Sequence, residues 1–439
     1  MSFARWPVHA IGSAILCGAL LAACSGDSGP EEPAGTRVTL SFCTGNAPVW
    51  LAVQDGDAAW IRLLPRIAGI YDARFTANRG GVAFVSSGSS LTVAYGNLTE
   101  LASIACTSGS NSLNGSVAGL ASVERADVWF GTSFASVNAQ NGRFQFRNVP
   151  DGQQDLFATR YTWSGDGGQI ANRLVIRRAQ NLASGSLIAP INFGSSESFA
   201  PAFATASVAG ADGAVSVDLI SSWHGRAFSA LLTYGTTPGP LLYSAVPQER
   251  LAPGELSSLQ AFTSEQPGGR SATNYFSAPA DRVVTMGPVL STPVVTWPNT
   301  APNQGPRLQL PSQPEYGRWV YVAYSQGLVA ASVAVTSSYL GGTPATWDIE
   351  VPDLSSVDGW NAAWGFASSS NILWNVTAAG GPDRYLGDVV HDGDAFRSAD
   401  FGGSNAAAGG TSRVTGRPEP HRGGFPQYLS APRRAWRNW

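Results

Sequence analysis

The densest group of ionisable side chains lies at 387–394, where the sequence reads Gly-Asp-Val-Val-His-Asp-Gly-Asp. Carboxylates at closely spaced positions in a loop can supply the oxygen ligands that calcium prefers. Asp388, Asp392 and Asp394 therefore form a weak candidate for a calcium site. The distant glutamate of an EF-hand is missing, and Asp-Gly is also ordinary turn chemistry. We therefore expect a turn and no bound metal.

Tryptophans supply the other functional hint. Four of them, Trp347, Trp360, Trp364 and Trp374, lie within 28 residues. Indole rings can stack on sugars while their N–H groups donate hydrogen bonds, so this group is a candidate for glycan contact. Large rings also fill the cores of β-sandwiches, and that interpretation of the four residues is the one we favour.

Motifs for catalysis are missing from the sequence. Beyond the first 23 residues the histidines are His224, His391 and His421, which are few for a Ser-His-Asp triad or a zinc site. The string nearest to a Gly-x-Ser-x-Gly elbow, at 131–135, lacks the closing glycine. A phosphate-binding Gly-Lys loop is excluded because all 27 basic residues are arginine. We expect neither an enzymatic activity nor a cofactor, and a hydrolase would depend on scattered carboxylates alone.

The N-terminus has the character of a targeting segment. Arg5 precedes a mostly apolar run at 11–21. That run is short of the roughly 20 residues that span a bilayer, so it predicts a cleaved signal peptide rather than a membrane anchor. We assign residues 1–23 to this peptide.

Directly at the end of that run stands Leu21-Ala22-Ala23-Cys24. It resembles the lipobox of bacterial lipoproteins at all four positions. The resemblance implies cleavage between Ala23 and Cys24, a diacylglycerol on the Cys24 thiol and an acylated amine. Two or three acyl chains hold a protein on a membrane where one does not. Ser25 stands where the family's inner-membrane retention signal has Asp, so the resemblance implies the outer membrane. The alternative is an ordinary signal peptide with an incidental cysteine.

The remaining cysteines predict a disulfide. Cys17 leaves with the signal peptide and Cys24 takes the lipid, so Cys43 and Cys106 are the pair left. An exported chain meets an oxidising compartment, and a bridge closing a loop of about 63 residues would contribute roughly 4 kcal/mol. Two buried free thiols are the alternative, because a bridge requires the two Cα atoms to come within about 7 Å.

Composition and periodicity predict an all-β protein. Charged residues make up 13% and hydrophobic residues 44%, and 50 glycines separate short alternating runs without sustained helical periodicity. We expect three to four antiparallel β-sandwich-like domains in tandem. The predicted segments are a flexible tether at 24–35, β domains at 36–108, 112–195, 200–296 and 318–401, a Pro-rich linker at 297–317 and a disordered basic tail at 402–439.

Residues 112–195 carry a second resemblance. An opening Gly-x-Val at 115–117 is followed by Gly-Arg-Phe-Gln-Phe at 142–146 and by Val-Pro-Asp-Gly at 149–152. In this order they resemble the carboxypeptidase regulatory-like, transthyretin-like β-sandwich. The resemblance implies a structural or adhesive spacer and carries over no catalytic residue.

Together these features predict a lipid-anchored cell-envelope lipoprotein with a structural, adhesive or binding role. Its expected partners are the membrane, through the lipid, and a cell-envelope glycan or another envelope protein, but no nucleic acid. A glycan-binding surface module and an envelope hydrolase are the competing functions. The tail has six arginines and one acid, Glu419, and is either solvated or drawn to anionic lipid or polysaccharide.

Overall fold

Short strands make up most of the chain, as the alternation of the sequence predicts, and the all-β prediction is confirmed. The computed structural model describes residues 35–413 apart from 43–46, 87–89, 105–110, 164–167, 213, 215, 226–227, 237–238, 265–267, 297–304, 367–370 and 406–411. The predictions for residues 1–34, for both cysteines of the expected disulfide and for the tail beyond Arg413 lie outside the described residues.

The first part of the chain contains one short helix among its strands: β1 (Thr36–Ser41), β2 (Trp50–Asp55), β3 (Ile61–Arg62), β4 (Ile70–Phe75), β5 (Arg79–Val85), β6 (Ser90–Asn97) and α1 (Leu98–Ala102). The next part contains β7 (Asn111–Ala118), β8 (Glu124–Phe130), β9 (Ser133–Asn138), β10 (Arg143–Val149), β11 (Gln154–Trp163), β12 (Gln169–Gln180) and β13 (Ile191–Asn192). Gly152 adopts a φ of 89°, as the predicted turn between β10 and β11 requires.

The third part contains β14 (Ala202–Ala209), β15 (Ser216–His224), β16 (Ser229–Thr236), β17 (Leu241–Ala245), β18 (Leu256–Ser264), β19 (Arg270–Phe276), β20 (Arg282–Thr285) and β21 (Val294–Thr296). The last part contains β22 (Arg307–Pro311), β23 (Trp319–Gln326), β24 (Val329–Thr336), α2 (Ser337–Leu340), β25 (Thr346–Glu350), β26 (Ile372–Gly380), β27 (Ala395–Asn405) and β28 (Ser412–Arg413). Short 3-10 helices cover Gln248–Arg250, Pro314–Tyr316, Ala362–Trp364 and Arg384–Leu386.

Two of these strands cross boundaries that the sequence predicts. β22 lies inside the predicted Pro-rich linker, because Leu308 and Leu310 alternate into the core between β21 and β25. β27 continues past residue 401 to Asn405, where it pairs with β26. Residues on both sides of these two predicted boundaries therefore lie in β-strands.

One large sheet runs through all four parts of the chain. Its strand order, read from the hydrogen-bonded pairs, is β9-β8-β11-β12-β16-β15-β18-β19-β27-β26-β23-β24-β6-β5-β2-β3. Neighbours are antiparallel except for β24 and β6, which are parallel. β28 pairs with the end of β27.

Smaller sheets cover this large sheet and form β-sandwiches with it. The sheet β10-β7-β13 packs on β8 and β11, and the sheet β17-β14-β20 packs on β15, β18 and β19. The sheet β21-β22-β25 packs on β23, β24 and β26, whereas β1 and β4 cover the opposite face near β5. Both faces of β5 are buried, each in a different hydrophobic cluster. Ala83 and Val85 belong to one cluster, and Val82 and Phe84 belong to the other.

The regions predicted as separate domains at 36–108 and 318–401 share one sheet. Residues 330–335 of β24 pair in parallel with residues 90–95 of β6. The hydrophobic cluster under β21, β22 and β25 draws residues from both regions, among them Trp50, Val93 and Val333. The described residues between Gly35 and Arg413 belong to one compact unit.

A buried polar network ties the two regions together at α1. Glu100 is 2% exposed, and its carboxylate accepts hydrogen bonds from the backbone N–H of Asn97 (2.9 Å) and from the hydroxyls of Thr336 (2.7 Å) and Ser338 (2.6 Å). Arg318 Nη1 lies 2.7 Å from its other oxygen. A helix that could cross a membrane does not occur in the part of the chain that the structure describes.

Candidate functional site

An open cleft of about 480 Å³ lies where three loops meet. Its lining includes residues 251–256, which lead into β18, residue Ser277, which follows β19, and residues 390–392, which precede β27. Because β18, β19 and β27 are antiparallel neighbours, the start of β18, the end of β19 and the start of β27 share one edge of the sheet. The cleft is therefore built by the sheet order, from segments far apart in sequence.

Ser277 and Asp392 form the polar centre of this cleft. The Ser277 hydroxyl donates to Asp392 Oδ2 at 2.6 Å, and the Ser277 backbone N–H donates to Oδ1 at 3.3 Å. The His391 backbone N–H instead donates to Asp394 Oδ2 at 2.7 Å, and its ring Nδ1 lies 3.5 Å from the same oxygen. Since the serine donates to a carboxylate rather than to the imidazole, these residues do not form the relay of a Ser-His-Asp triad.

Glu255 is a second carboxylate in the lining, but both of its oxygens are occupied. Arg178 donates through Nε to Oε1 (2.9 Å) and through Nη2 to Oε2 (2.7 Å), and the Ala252 N–H donates to Oε2 (2.9 Å). The hydrogen bond to Glu255 raises the pKa of Arg178. Glu255 thus fixes the wall of the cleft and is not placed to act as a general acid.

The weak calcium candidate is not assembled. Asp388 pairs with Arg318, whose Nη2 and Nε lie at 3.0 and 3.2 Å, and it also accepts from the Asp383 N–H at 2.9 Å. Asp392 binds Ser277 and Asp394 binds His391. Over the described ranges, no three acidic, histidine or cysteine side chains are grouped as metal ligands.

Two of the four late tryptophans are core residues. Trp347 is 1% exposed and Trp374 is 4% exposed, and the Trp374 ring stacks on Phe401 with centroids 6.1 Å apart. A ring this buried has no face for a sugar, so Trp347 and Trp374 do not supply glycan contacts.

Trp360 and Trp364 are only partly buried and pack against Trp50. The rings of Trp360 and Trp364 lie 5.3 Å apart with an interplanar angle of 84°. Perpendicular rings do not form a flat platform for a sugar. For these two residues the glycan contact stays a prediction.

The sequence did not predict two polar side chains that the large sheet partly or fully buries. Asp400 on β27 and Asn375 on β26 each have a buried Oδ1 atom without a hydrogen-bond partner. Burial raises the pKa of Asp400 to about 7, although a hydrogen bond with Thr377 acts in the opposite direction. An acid inside an otherwise alternating strand was the available sequence signal.

Two more buried titratable groups lie outside the cleft. Burial raises the pKa of Asp127 to about 6, and the Tyr161 hydroxyl donates to its Oδ1 at 3.2 Å. Burial lowers the pKa of His224 to about 3, and its ring nitrogens lie 2.6 Å from the hydroxyls of Ser229 and Ser258. His224 is therefore neutral at physiological pH and serves as a hydrogen-bonding core residue.

The predicted lipidation and disulfide residues, Cys24, Cys43 and Cys106, lie outside the described residues. Residues close in sequence to Cys43 and Cys106 are in contact, since the Ser41 N–H donates to the Ile104 carbonyl at 3.3 Å. This contact brings together the chain segments that lead to Cys43 and Cys106.

Comparisons with known proteins give a weak structural likeness. No protein-family model matches the chain, and no curated protein matches it. Among solved structures, the chain is similar to the chicken CNTN1 FN1-FN3 domains at 10% identity, over 68% of this chain and 88% of that one, with a TM-score of 0.13. A score this low carries no argument about function.

Proposed function

We propose that the protein is a cell-envelope lipoprotein, held in the outer membrane by acyl chains on Cys24, whose β-sandwich body has a structural or binding role. The observation that carries the proposal is the lipobox at 21–24 directly after a short apolar run. The β-sandwich fold is compatible with a structural or binding module. Partners would be the membrane and an envelope glycan or protein.

The anchor is tested by replacing Cys24 in the full chain. In wild-type protein expressed in a bacterium, we expect an acylated N-terminal peptide by mass spectrometry and a protein that fractionates with membranes. Cys24→Ser should lack the acyl mass. Cys17→Ser is the matched control, because that cysteine would leave with the signal peptide. An unmodified wild-type N-terminus, or an unchanged mass in Cys24→Ser, would refute the anchor.

We also propose that residues 112–195 are a carboxypeptidase regulatory-like spacer. Supporting this, the sheet β10-β7-β13 packs on β8, β9, β11 and β12 of the large sheet around one hydrophobic cluster, in which Phe144 and Phe146 are buried. The strand β10 and the turn at Gly152 follow the order of the family's motifs. If this segment is a spacer, point substitutions on its exposed face should leave ligand binding unchanged.

The binding role is best assigned to the cleft. Ser277 and Asp392 offer a hydroxyl and a carboxylate beside an apolar wall, a combination suited to a polar ligand with an apolar part. A screen of envelope polymers and peptides against the acyl-free body should yield a ligand whose affinity falls at least tenfold in Asp392→Ala. Trp360→Ala is the control for the glycan alternative. A ligand lost in Trp360→Ala and kept in Asp392→Ala would place binding at the tryptophans instead.

A further inference from the structure

An apolar loop projects from the end of the large sheet. Residues 58–71 contain two charged residues, Arg62 and Arg66, and no acid. Within this stretch Ile61 is 66% exposed, Leu64 is 67% exposed and Ile67 is 58% exposed. Several exposed aliphatic side chains in one loop are unusual for a surface that faces only water. We call residues 61–67, which comprise the short strand β3 and the segment that follows it, the apolar loop.

Backbone hydrogen bonds hold the apolar loop in shape. The Leu63 N–H donates to the Leu51 carbonyl at 2.9 Å, which attaches the loop to β2. The Arg66 N–H donates to the Ile70 carbonyl at 2.8 Å, and the Ile70 N–H donates to the Ile67 carbonyl at 2.9 Å. The exposed side chains are therefore presented by an ordered turn.

Both arginines of the loop stand beside an aspartate and keep part of their side chains exposed. Arg66 stands between Leu64 and Ile67 in the sequence, and its side chain is 55% exposed while it pairs with Asp72 at 2.9 Å. Arg62 lies 3.4 Å from Asp358, whose side chain is 89% exposed. Aliphatic residues interleaved with arginine are typical of segments that lie at the boundary between headgroups and acyl chains.

The proposed anchor would bring a bilayer within reach of this loop. Ten residues lie between Cys24 and Gly35, and the eleven Cα–Cα steps that join the two span at most about 40 Å when extended. β1 starts at Thr36, and its other end, Ser41, pairs with Ile70 beside the loop. A six-residue strand is about 20 Å long, so the tether is long enough for the loop to meet the same bilayer.

We propose that the apolar loop is a second membrane contact, in which Ile61, Leu64 and Ile67 enter the bilayer interface and the two arginines meet anionic headgroups. This inference rests on the proposed lipid anchor, which supplies the bilayer. The acyl chains hold the protein at the membrane, and the loop fixes how the body sits on it. One attachment through a tether would leave the body free to turn, whereas two contacts orient it.

The experiment uses the chain from residue 25 onward, which lacks the acyl chains but contains the whole compact unit. Flotation with vesicles of phosphatidylethanolamine and phosphatidylglycerol measures its partition coefficient. We expect a loss of about tenfold or more in Ile61→Ser/Leu64→Ser/Ile67→Ser. The matched control is Leu328→Ser, since Leu328 is 94% exposed in the turn between β23 and β24. It should bind as the wild type does.

Arg62→Gln/Arg66→Gln should weaken binding to these vesicles and leave binding to pure phosphatidylcholine unchanged. Equal flotation of the wild type and the triple variant would overturn the inference, as would no flotation of the wild type. So would a wild-type dimer that the triple variant converts to monomer, because the loop would then face another copy. If the mass of the full-length protein shows no acylation, the anchor is refuted. The vesicle experiment uses protein without acyl chains, so its result is measured separately.

Discussion

Replacing Glu100 by alanine tests whether the first and last parts of the chain form one core. Glu100 belongs to α1, whereas Thr336, Ser338 and Arg318 lie more than 200 residues away in sequence. Alanine removes the carboxylate partner of the Arg318 guanidinium and the acceptor of both hydroxyls. It also removes the hydrogen bond to the Asn97 N–H, which caps the helix.

The expected loss follows from these contacts. Removing one partner of a buried ion pair costs about 3–5 kcal/mol, because the other charge is left buried. Arg318 is 20% exposed and keeps Asp388 at 3.0 Å, which places the ion-pair term near the lower end of that range. The hydroxyls of Thr336 and Ser338 still bond to each other at 2.8 Å. We expect the free energy of unfolding to fall by about 3 kcal/mol.

Urea unfolding followed by tryptophan fluorescence measures this loss, and amide hydrogen exchange locates it. Because β6 and β24 are paired, both strands should lose protection in Glu100→Ala. Glu100→Gln is the control, since it keeps an oxygen acceptor without the charge and should lose less stability. A loss below about 1 kcal/mol, or faster exchange confined to residues 36–108, would refute the shared core.

Three other predictions concern the stability of the protein. Because the pKa of Asp400 is raised to about 7, the free energy of unfolding should fall as pH rises from about 4, the unfolded-state pKa, through about 7. Asp400→Asn should flatten this decline and stabilise the protein at pH 8 by roughly 2 kcal/mol. Urea unfolding midpoints at pH 5 and pH 8 measure both effects. Trp374→Ala should lower the free energy of unfolding by about 3–5 kcal/mol and Trp364→Ala by much less, since only Trp374 is fully in the core. Mass spectrometry should find a Cys43–Cys106 bridge whose reduction lowers stability by up to about 4 kcal/mol; free thiols in the native protein would exclude it.

Local structure was largely predictable from the sequence because each strand carries its own alternation. The run at 319–324 lies in β23, and the alternating run at 214–220 includes the first five residues of β15. Strand pairing was not predictable, since alternation sets the face of a strand but not its neighbour. The parallel pairing of β6 with β24 joins segments 240 residues apart, and most sequential strands are adjacent instead.

The aromatic residues show how the same alternation bears on a candidate site. Trp374 shares the face of Ile372 and Val376 on β26, and Trp347 shares the face of Ile349 on β25. Because each of these tryptophans shares a strand face with aliphatic residues, its position predicts burial. The close spacing of tryptophans along the chain does not predict it. Trp364 ends a short 3-10 helix and Trp360 lies just before it, and the two-residue alternation of a strand does not apply there.

The cleft itself required the sheet order. Asp392 stood out in the sequence as a candidate calcium ligand, but its partner is Ser277, 115 residues earlier. A carboxylate held by a serine hydroxyl and a backbone N–H is a fixed acceptor, and Glu255 is fixed likewise by Arg178. These hydrogen bonds hold both carboxylates of the cleft in fixed positions, and the proposed binding role depends on that rigidity.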